Sequence, residues 1–565
     1  MVRQSSLTGI AAAAGVAAGL VLDITIAIRF GAGPKTDAFF VASRIPLGLI
    51  AVVMVAANQA LVPAFRTSAT RRGERPTDHL ISMVLCTVIV AGAALVLVSW
   101  LVAAPLVHLT APGIPQGEIT TAASMVPVVF AMVPLVAVAE VLRAYLNARY
   151  AFVAPALMTV VLNGLAAALI IAGPLVFVGL RHDIHLVAFA FLAGAGAQAV
   201  FMSLMAARQG LRFRPALDVR DEHLRGIAKL CVRPLGGAGL NPVARLGEQV
   251  LVSTLPTGSI TILNYGYLLV SAVGGTVFFR SVSVALIPRL TDAHNRGDQD
   301  EVRRFTGLGL RIMLAISLPL TAFMAVLAKP AVLAVFHRGS FSGTSAALLG
   351  TVLAIYSISL LGSAVQRALL APFFARLDTR MPLRNTIYGV AANLVLLPLL
   401  MLPFGFGSQQ AIIGVALAYS LSQYVNVGHA WYRLSRLHGT PGRELVPFTF
   451  KLAVASVLSA AAMIAASIAL NLDGLLDPIQ LLIRTPLAGL AGLGVLAAAL
   501  FVLTGHEIAG WRRALRRARP SEHAGAPDEP SEQPLSADVA PVVEDGVDID
   551  SATDVESTAI TANLP

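Results

Sequence analysis

Charge is scarce in this chain: Asp, Glu, Lys and Arg make up 13% of 565 residues, while 56% are hydrophobic. A soluble globular domain carries roughly 25% charged residues, so the composition excludes a water-soluble enzyme and indicates an integral membrane protein. Cysteine is nearly absent. Cys86 and Cys231 stand far apart in apolar stretches, with no C-x-x-C pairing, which excludes a disulfide framework and leaves both as small core residues. Aromatics are only 6%, and Ala, Gly, Leu and Val dominate, a composition suited to close helix–helix contact. A Walker A sequence is missing, so no nucleotide-driven step is written here. His182-Asp183-x-His185 has too few ligands in too short a loop to hold a metal, and no metal site is assigned.

Apolar stretches long enough to cross about 30 Å of hydrocarbon occur at 7–29, 38–65, 80–107, 119–145, 152–180, 184–208, 226–252, 259–289, 307–328, 346–371, 385–404, 410–432, 447–471 and 483–504. An even count of about fourteen puts both termini on one side. Arginines cluster at 66–75, 143–149, 208–229, 289–304, 376–384, 433–443 and 512–519, whereas 108–118 and 403–410 have no Lys or Arg. The positive-inside rule therefore predicts cytoplasmic N- and C-termini. The net charge of +10 reflects this anchoring, and no nucleic acid partner is expected. Residues 520–565 hold eleven Asp or Glu and no Lys or Arg, which predicts a disordered acidic cytoplasmic tail.

Two stretches repeat. Ala60-Leu61-Val62-Pro63 runs into a basic segment, and Ala285-Leu286-Ile287-Pro288 into a mixed-charge one; Arg143-Ala144 is echoed by Arg367-Ala368, and Pro155 by Pro382. Membrane chains built of two parallel repeats are most often transporters with a substrate site between the halves.

Ionisable residues inside apolar stretches need a partner or a water-filled cavity. Arg44, Glu140 and Arg311 lie near span ends, where snorkelling is an alternative. Arg245 and Glu248 are spaced i, i+3 and could serve a cavity or only neutralise each other. Asp23 lies in the first span. Arg280 follows Phe278 and Phe279 with no acid nearby in sequence, which favours a cavity. In the seventh span Arg233 precedes Pro234, Gly236, Gly237 and Pro242, a poor helix and a candidate hinge beside cationic groups.

Phe30-Gly31-Ala32-Gly33-Pro34-Lys35-Thr36-Asp37-Ala38-Phe39-Phe40 closely resembles the MurJ/MviN family of lipid II flippases, within the multidrug/oligosaccharidyl-lipid/polysaccharide exporter superfamily. Leu146-Asn147, Ala154-Pro155-Ala156, Leu162-Asn163, Gly258-Ser259-Ile260, Leu263-Asn264-Tyr265 and Ala371-Pro372-Phe373-Phe374-Ala375-Arg376-Leu377-Asp378 continue the pattern in order. The resemblance implies an all-α integral membrane fold of about fourteen helices. Two parallel six-helix lobes, 1–208 and 209–432, surround a central cavity. Two extra helices with a basic flank occupy 433–519, followed by the tail at 520–565. It further implies alternating access, a cavity binding the pyrophosphate of an undecaprenyl-linked precursor, and location in a bacterial plasma membrane. No cofactor is implied beyond a coupling ion or the membrane potential. The chain is expected to be a monomer, with cell-wall synthesis proteins as candidate partners of the tail.

This sequence departs from the family where cations are expected. Val16, Leu22, Ile50 and Tyr267 stand at positions where the family carries arginines, while Asp37 keeps the acidic one. The cavity candidates are therefore the cations Arg280, Arg245, Arg233 and Arg44 and the acidic or coupling residues Asp37, Asp23 and Glu248. Other readings stay open: a flippase for another polyprenyl-linked saccharide, a non-transporting paralogue, or a small-molecule antiporter.

Overall fold

A computed structural model describes residues 2–176, 183–218, 220–275, 278–439, 445–472 and 477–517; side chains are defined within these except at 2–6, 174–176, 232–238, 275, 278–285 and 504–517. Contacts gather the described residues up to Gly505 into a compact unit, and a second unit begins at His506. The acidic tail at 520–565 lies outside the described residues.

Among the described residues the structure is helical throughout. In chain order the helices are α1 (Val2–Phe30), α2 (Pro34–Ala56), α3 (Val62–Arg72), α4 (Glu74–Thr110), α5 (Gln116–Phe130), α6 (Met132–Ala148), α7 (Val153–Val176), α8 (His185–Arg208) and α9 (Glu222–Ala238). They continue with α10 (Leu240–Val252), α11 (Ser259–Gly275), α12 (Phe278–Asn295), α13 (Gln299–Phe336), α14 (Gly343–Ala375), α15 (Arg380–Met401), α16 (Ala411–His438), α17 (Leu445–Ala469) and α18 (Pro478–Arg517). A π-helical turn, Ala57–Leu61, joins α2 to α3. Many helices outrun their apolar stretches. At 37 residues α4 is about 55 Å long, because its polar first turns continue the helix beyond the hydrocarbon.

Twelve of the fourteen expected stretches are helices long and apolar enough to cross a membrane. The other two are built differently. Residues 226–252 divide into α9 and α10 at Gly239, while in 259–289 α11 and α12 lie on either side of 276–277, which are outside the described residues. Among the described residues twelve membrane-length helices are found, so the expected count of about fourteen is not confirmed. The division at Gly239 has a physical cause: a Pro and four Gly lie within 226–239, and both flanking helices are amphipathic.

Among the first eight helices, α1 packs on α7, α7 on α8, α6 on α8, and α2 and α4 on α5. Further along, α13 packs on α14, α14 on α16, α15 on α16 and α11 on α14, while α17 lies against α13. Helix α18 is tied to α17 where the Ser459 hydroxyl donates to Gly492 O at 2.7 Å. Small buried residues such as Ala166, Ala188, Ala195, Ala416 and Ala418 fill the interfaces. Large apolar side chains face outward instead: Leu101 is 82% exposed and Phe501 80%. Such a surface is suited to lipid rather than water. Cys86 and Cys231 are both free and half-buried.

Candidate substrate cavity

A cavity of about 510 Å³ opens between α2, α10, α11, α14, α15 and α16. Three arginines, Arg44, Arg245 and Arg367, and one acid, Glu248, reach its wall. Arg44 directly follows the buried α2 segment Thr36–Ser43, and its Nε donates to Gln249 Oε1 at 2.7 Å. Arg245 is held by an acid and two aromatic rings. Its Nη1 donates to Glu248 Oε1 and Oε2 at 3.2 and 3.1 Å, and its guanidinium carbon stands 3.3 Å from the Tyr267 ring centre and 4.8 Å from that of Tyr419. Such stacking, worth about 1–2 kcal/mol when desolvated, fixes the plane of the guanidinium. Its Nη2 is buried with no protein acceptor. Amides complete the wall: Asn264, Gln366, Asn393, Gln423 and Asn426. Asn393 Oδ1 and Asn426 Oδ1 are buried without a donor. A cation held flat with an unused donor, among amides with unused acceptors, can bind an anionic group attached to a hydroxyl- or amide-rich one.

The sequence candidates divide. Arg44, Arg245, Glu248 and Pro242 are on the wall, with Pro242 packed close to Gly48 of α2. Arg245 and Glu248 pair with each other and both line the cavity. Asp23 is half-buried on α1, away from this wall. Glu140 is fully buried in an ion pair with Arg143, so it does not snorkel. Arg233, Pro234, Gly236, Gly237 and Arg280 have helical backbones, but their side chains lie outside the described residues. Sequence reasoning missed Arg367, which it used only as a mark of the repeat. Tyr267 was seen as a lost arginine; in three dimensions the Arg245 guanidinium covers it.

Asp37 is also off the cavity wall. It is 2% exposed, and its two oxygens accept from Gly258 N–H at 2.5 Å, Thr261 N–H at 2.8 Å and the Thr261 hydroxyl at 2.5 Å. It thus caps the start of α11 from a distant part of the chain. Other contacts cross at the same end. Ser340 N–H donates to Ile28 O at 2.7 Å, Gly113 N–H to Ser253 Oγ at 3.0 Å, and the Thr257 hydroxyl to Glu118 Oε1 at 3.2 Å. A Cβ on Gly113 would stand 2.6 Å from Ser253 O, so only glycine permits this approach. This end is closed by backbone contact.

A family model described as "Lipid II flippase MurJ" matches residues 26–482. The probable lipid II flippase MurJ of Vibrio cholerae is 26% identical over 468 residues, covering 79% of this chain and 85% of that protein. The corresponding protein of Rhizobium meliloti is 25% identical over 522 residues, covering 88% and 93%. The lipid II flippase MurJ of Burkholderia cenocepacia is 26% identical over 407 residues, covering 68% and 75%. Among solved structures, "Lipid II flippase MurJ, inward closed conformation" aligns with a TM-score of 0.73 at 18% identity, over 89% of this chain and 99% of that one. An inward-facing multidrug resistance MATE transporter of the MOP superfamily aligns with a TM-score of 0.59 at 16% identity, over 77% and 96%. At those identities the structures establish the fold.

Proposed function

Because the chain belongs to the MurJ family of lipid II flippases, we propose that it carries lipid II from the inner to the outer leaflet of a bacterial inner membrane by alternating access. It works as a transporter. The observation that carries this reading is the cavity, in which Arg44, Arg245 and Arg367 meet a ring of amides. A pyrophosphate leaving water needs donors that replace its hydration, and guanidinium groups supply them in pairs. The disaccharide and peptide of the headgroup need hydrogen-bonding partners of both kinds, which Asn and Gln provide.

The positive-inside pattern puts both termini in the cytoplasm. Connections 29–35, 108–118 and 253–258 then lie outside, so the backbone-closed end is the outer gate, shut in this arrangement. Helices α1–α8 and α10–α16 are the two lobes that rock against each other. The break at Gly239 is a hinge between α9, which packs on α2 and α4, and α10, which packs on α15 and α2. Transport is powered by an ion gradient or the membrane potential.

The deciding test is rescue of a bacterium depleted of its own lipid II flippase, with lipid II scored at the outer leaflet. Rescue is the expected result, and it should be lost in Arg245→Ala. Failure to rescue by protein shown to be in the membrane overturns the lipid II assignment and favours another polyprenyl-linked saccharide.

A further inference from the structure

Glu118 is 7% exposed at the closed end. It begins the fourth apolar stretch from the outer side. Its Oε1 accepts from the Thr257 hydroxyl at 3.2 Å, and its Oε2 is buried with no donor. Asp37 meets the next residue of the same turn, Gly258. Two carboxylates, one from α2 and one from α5, thus converge on residues 257–261 of the other lobe. Asp37 takes three donors of this segment: two backbone N–H groups and one hydroxyl. Glu118 is left with one hydroxyl and a dry oxygen. Burying a carboxylate oxygen without a donor beside a second carboxylate favours the neutral acid over the anion.

We propose that Glu118 is a positioning residue of the transport cycle, holding the outer gate shut as a protonated acid and releasing that proton to the outer water when the gate opens. The proposal rests on the transporter reading above. The closed state binds the extra proton, so acid outside favours closure and alkali favours opening. Other titratable groups near this end do not compete. Lys35 on α2 and His108 on α4 are exposed. Asp183 and His185, where α8 begins, engage each other at 2.6 Å, and the other ring nitrogen of His185 meets the Ser124 hydroxyl of α5 at 2.7 Å. Burial alone would raise Asp183, but bonds from the His185 backbone and ring hold it below the usual carboxylate range. Glu140 and Arg143 of α6 are paired with each other.

The test uses the full chain in proteoliposomes with Cys86→Ala and Cys231→Ala. Ser253→Cys reports the gate, because Ser253 is 2% exposed against Gly113. Exposed Thr254→Cys corrects for thiol chemistry. Labelling by a membrane-impermeant maleimide, corrected in this way, should rise about tenfold as outer pH goes from about 5.5 to 8. Glu118→Gln, which mimics the acid, should stay at the low-pH level, and Glu118→Asp should restore a response. An equal rise in Glu118→Gln overturns the proposal.

A second arm needs no cysteine: lipid II flipping against outer pH in wild type and Glu118→Gln. Flipping with the same pH profile in both defeats the Glu118 assignment and leaves the transport function standing. A wild-type gate that responds to pH in liposomes where lipid II never moves defeats the function and leaves Glu118 standing.

Discussion

Asp37 and Asp221 both cap the first turn of a helix, but they stand at different places in the architecture. Asp37, on α2, caps α11 from more than two hundred residues away, and is 2% exposed. Asp221 caps its own helix α9, accepting from His223 N–H and Leu224 N–H at 2.9 Å each, in an exposed connection. A cap supplied locally stabilises one helix end. A cap supplied across the lobes is a lock, because separating the lobes strips α11 of its partners and buried Asp37 of its donors. The same contrast separates the closed end from the cavity. At the closed end polar groups meet backbone and leave little room; in the cavity arginines are held by side chains and rings, with Arg245 Nη2 still unused.

Asp37→Ala should give the largest effect. It removes three bonds to a charged, buried acceptor and orphans the donors of α11, a loss of about 3 kcal/mol from the closed arrangement. We expect the outer gate to become accessible to an impermeant thiol reagent at Ser253→Cys, together with loss of rescue. Asp37→Asn keeps one acceptor and should lose less. If Asp37→Ala leaves the gate closed, the lock lies in the backbone contacts around Gly113 and Ser340 instead. Next comes Arg245→Ala, which strips the cavity of its stacked cation. Lipid II affinity, read by native mass spectrometry, should fall on the order of 30-fold, about 2 kcal/mol. Arg245→Lys should recover only part, since an ammonium cannot present a planar fork. Equal affinity in all three would place the pyrophosphate elsewhere.

The long helices were legible because apolar stretches of membrane length leave few alternatives: twelve of the fourteen stretches are such helices. One exception, α9–α10, falls where geometry breaks a helix, and Pro234, Gly236 and Gly237 marked it; the other, α11 and α12, flanks 276–277, which lie outside the described residues. The site was less legible. Arg245 could be named from its depth in an apolar stretch, but its stacking on Tyr267 and Tyr419 joins α10, α11 and α16, a relation that no local pattern encodes. Asp37 was singled out through the family resemblance, which keeps an acid there, and was read as a cavity group. Its partners, Gly258 and Thr261, lie over two hundred residues away, so the cap could not be seen along the chain. Glu118 fell on a short polar connection, where burial by another lobe leaves no periodic signal.

The stacking and the local cap set the lower end of the scale. Tyr267→Leu keeps the apolar volume but removes the ring face under Arg245, and should weaken lipid II binding about fivefold, near 1 kcal/mol. Asp221→Ala should do least. Its cost is about 0.5–1 kcal/mol at the start of α9, because an exposed cap competes with water. The Leu224 N–H bond, opposed by slight burial and helped by the His223 N–H, holds the Asp221 carboxyl below its ordinary range. A lowered folded value means the stabilisation is complete above the unfolded carboxyl value, about 3.9, and is lost as pH falls through the folded one. Amide hydrogen exchange at residues 222–225 should therefore be faster in Asp221→Ala than in wild type at neutral pH, with rescue of the depleted strain unchanged. If gate accessibility moved as well, Asp221 would be acting across the lobes as Asp37 does, and the distinction between a local cap and a lock would fail.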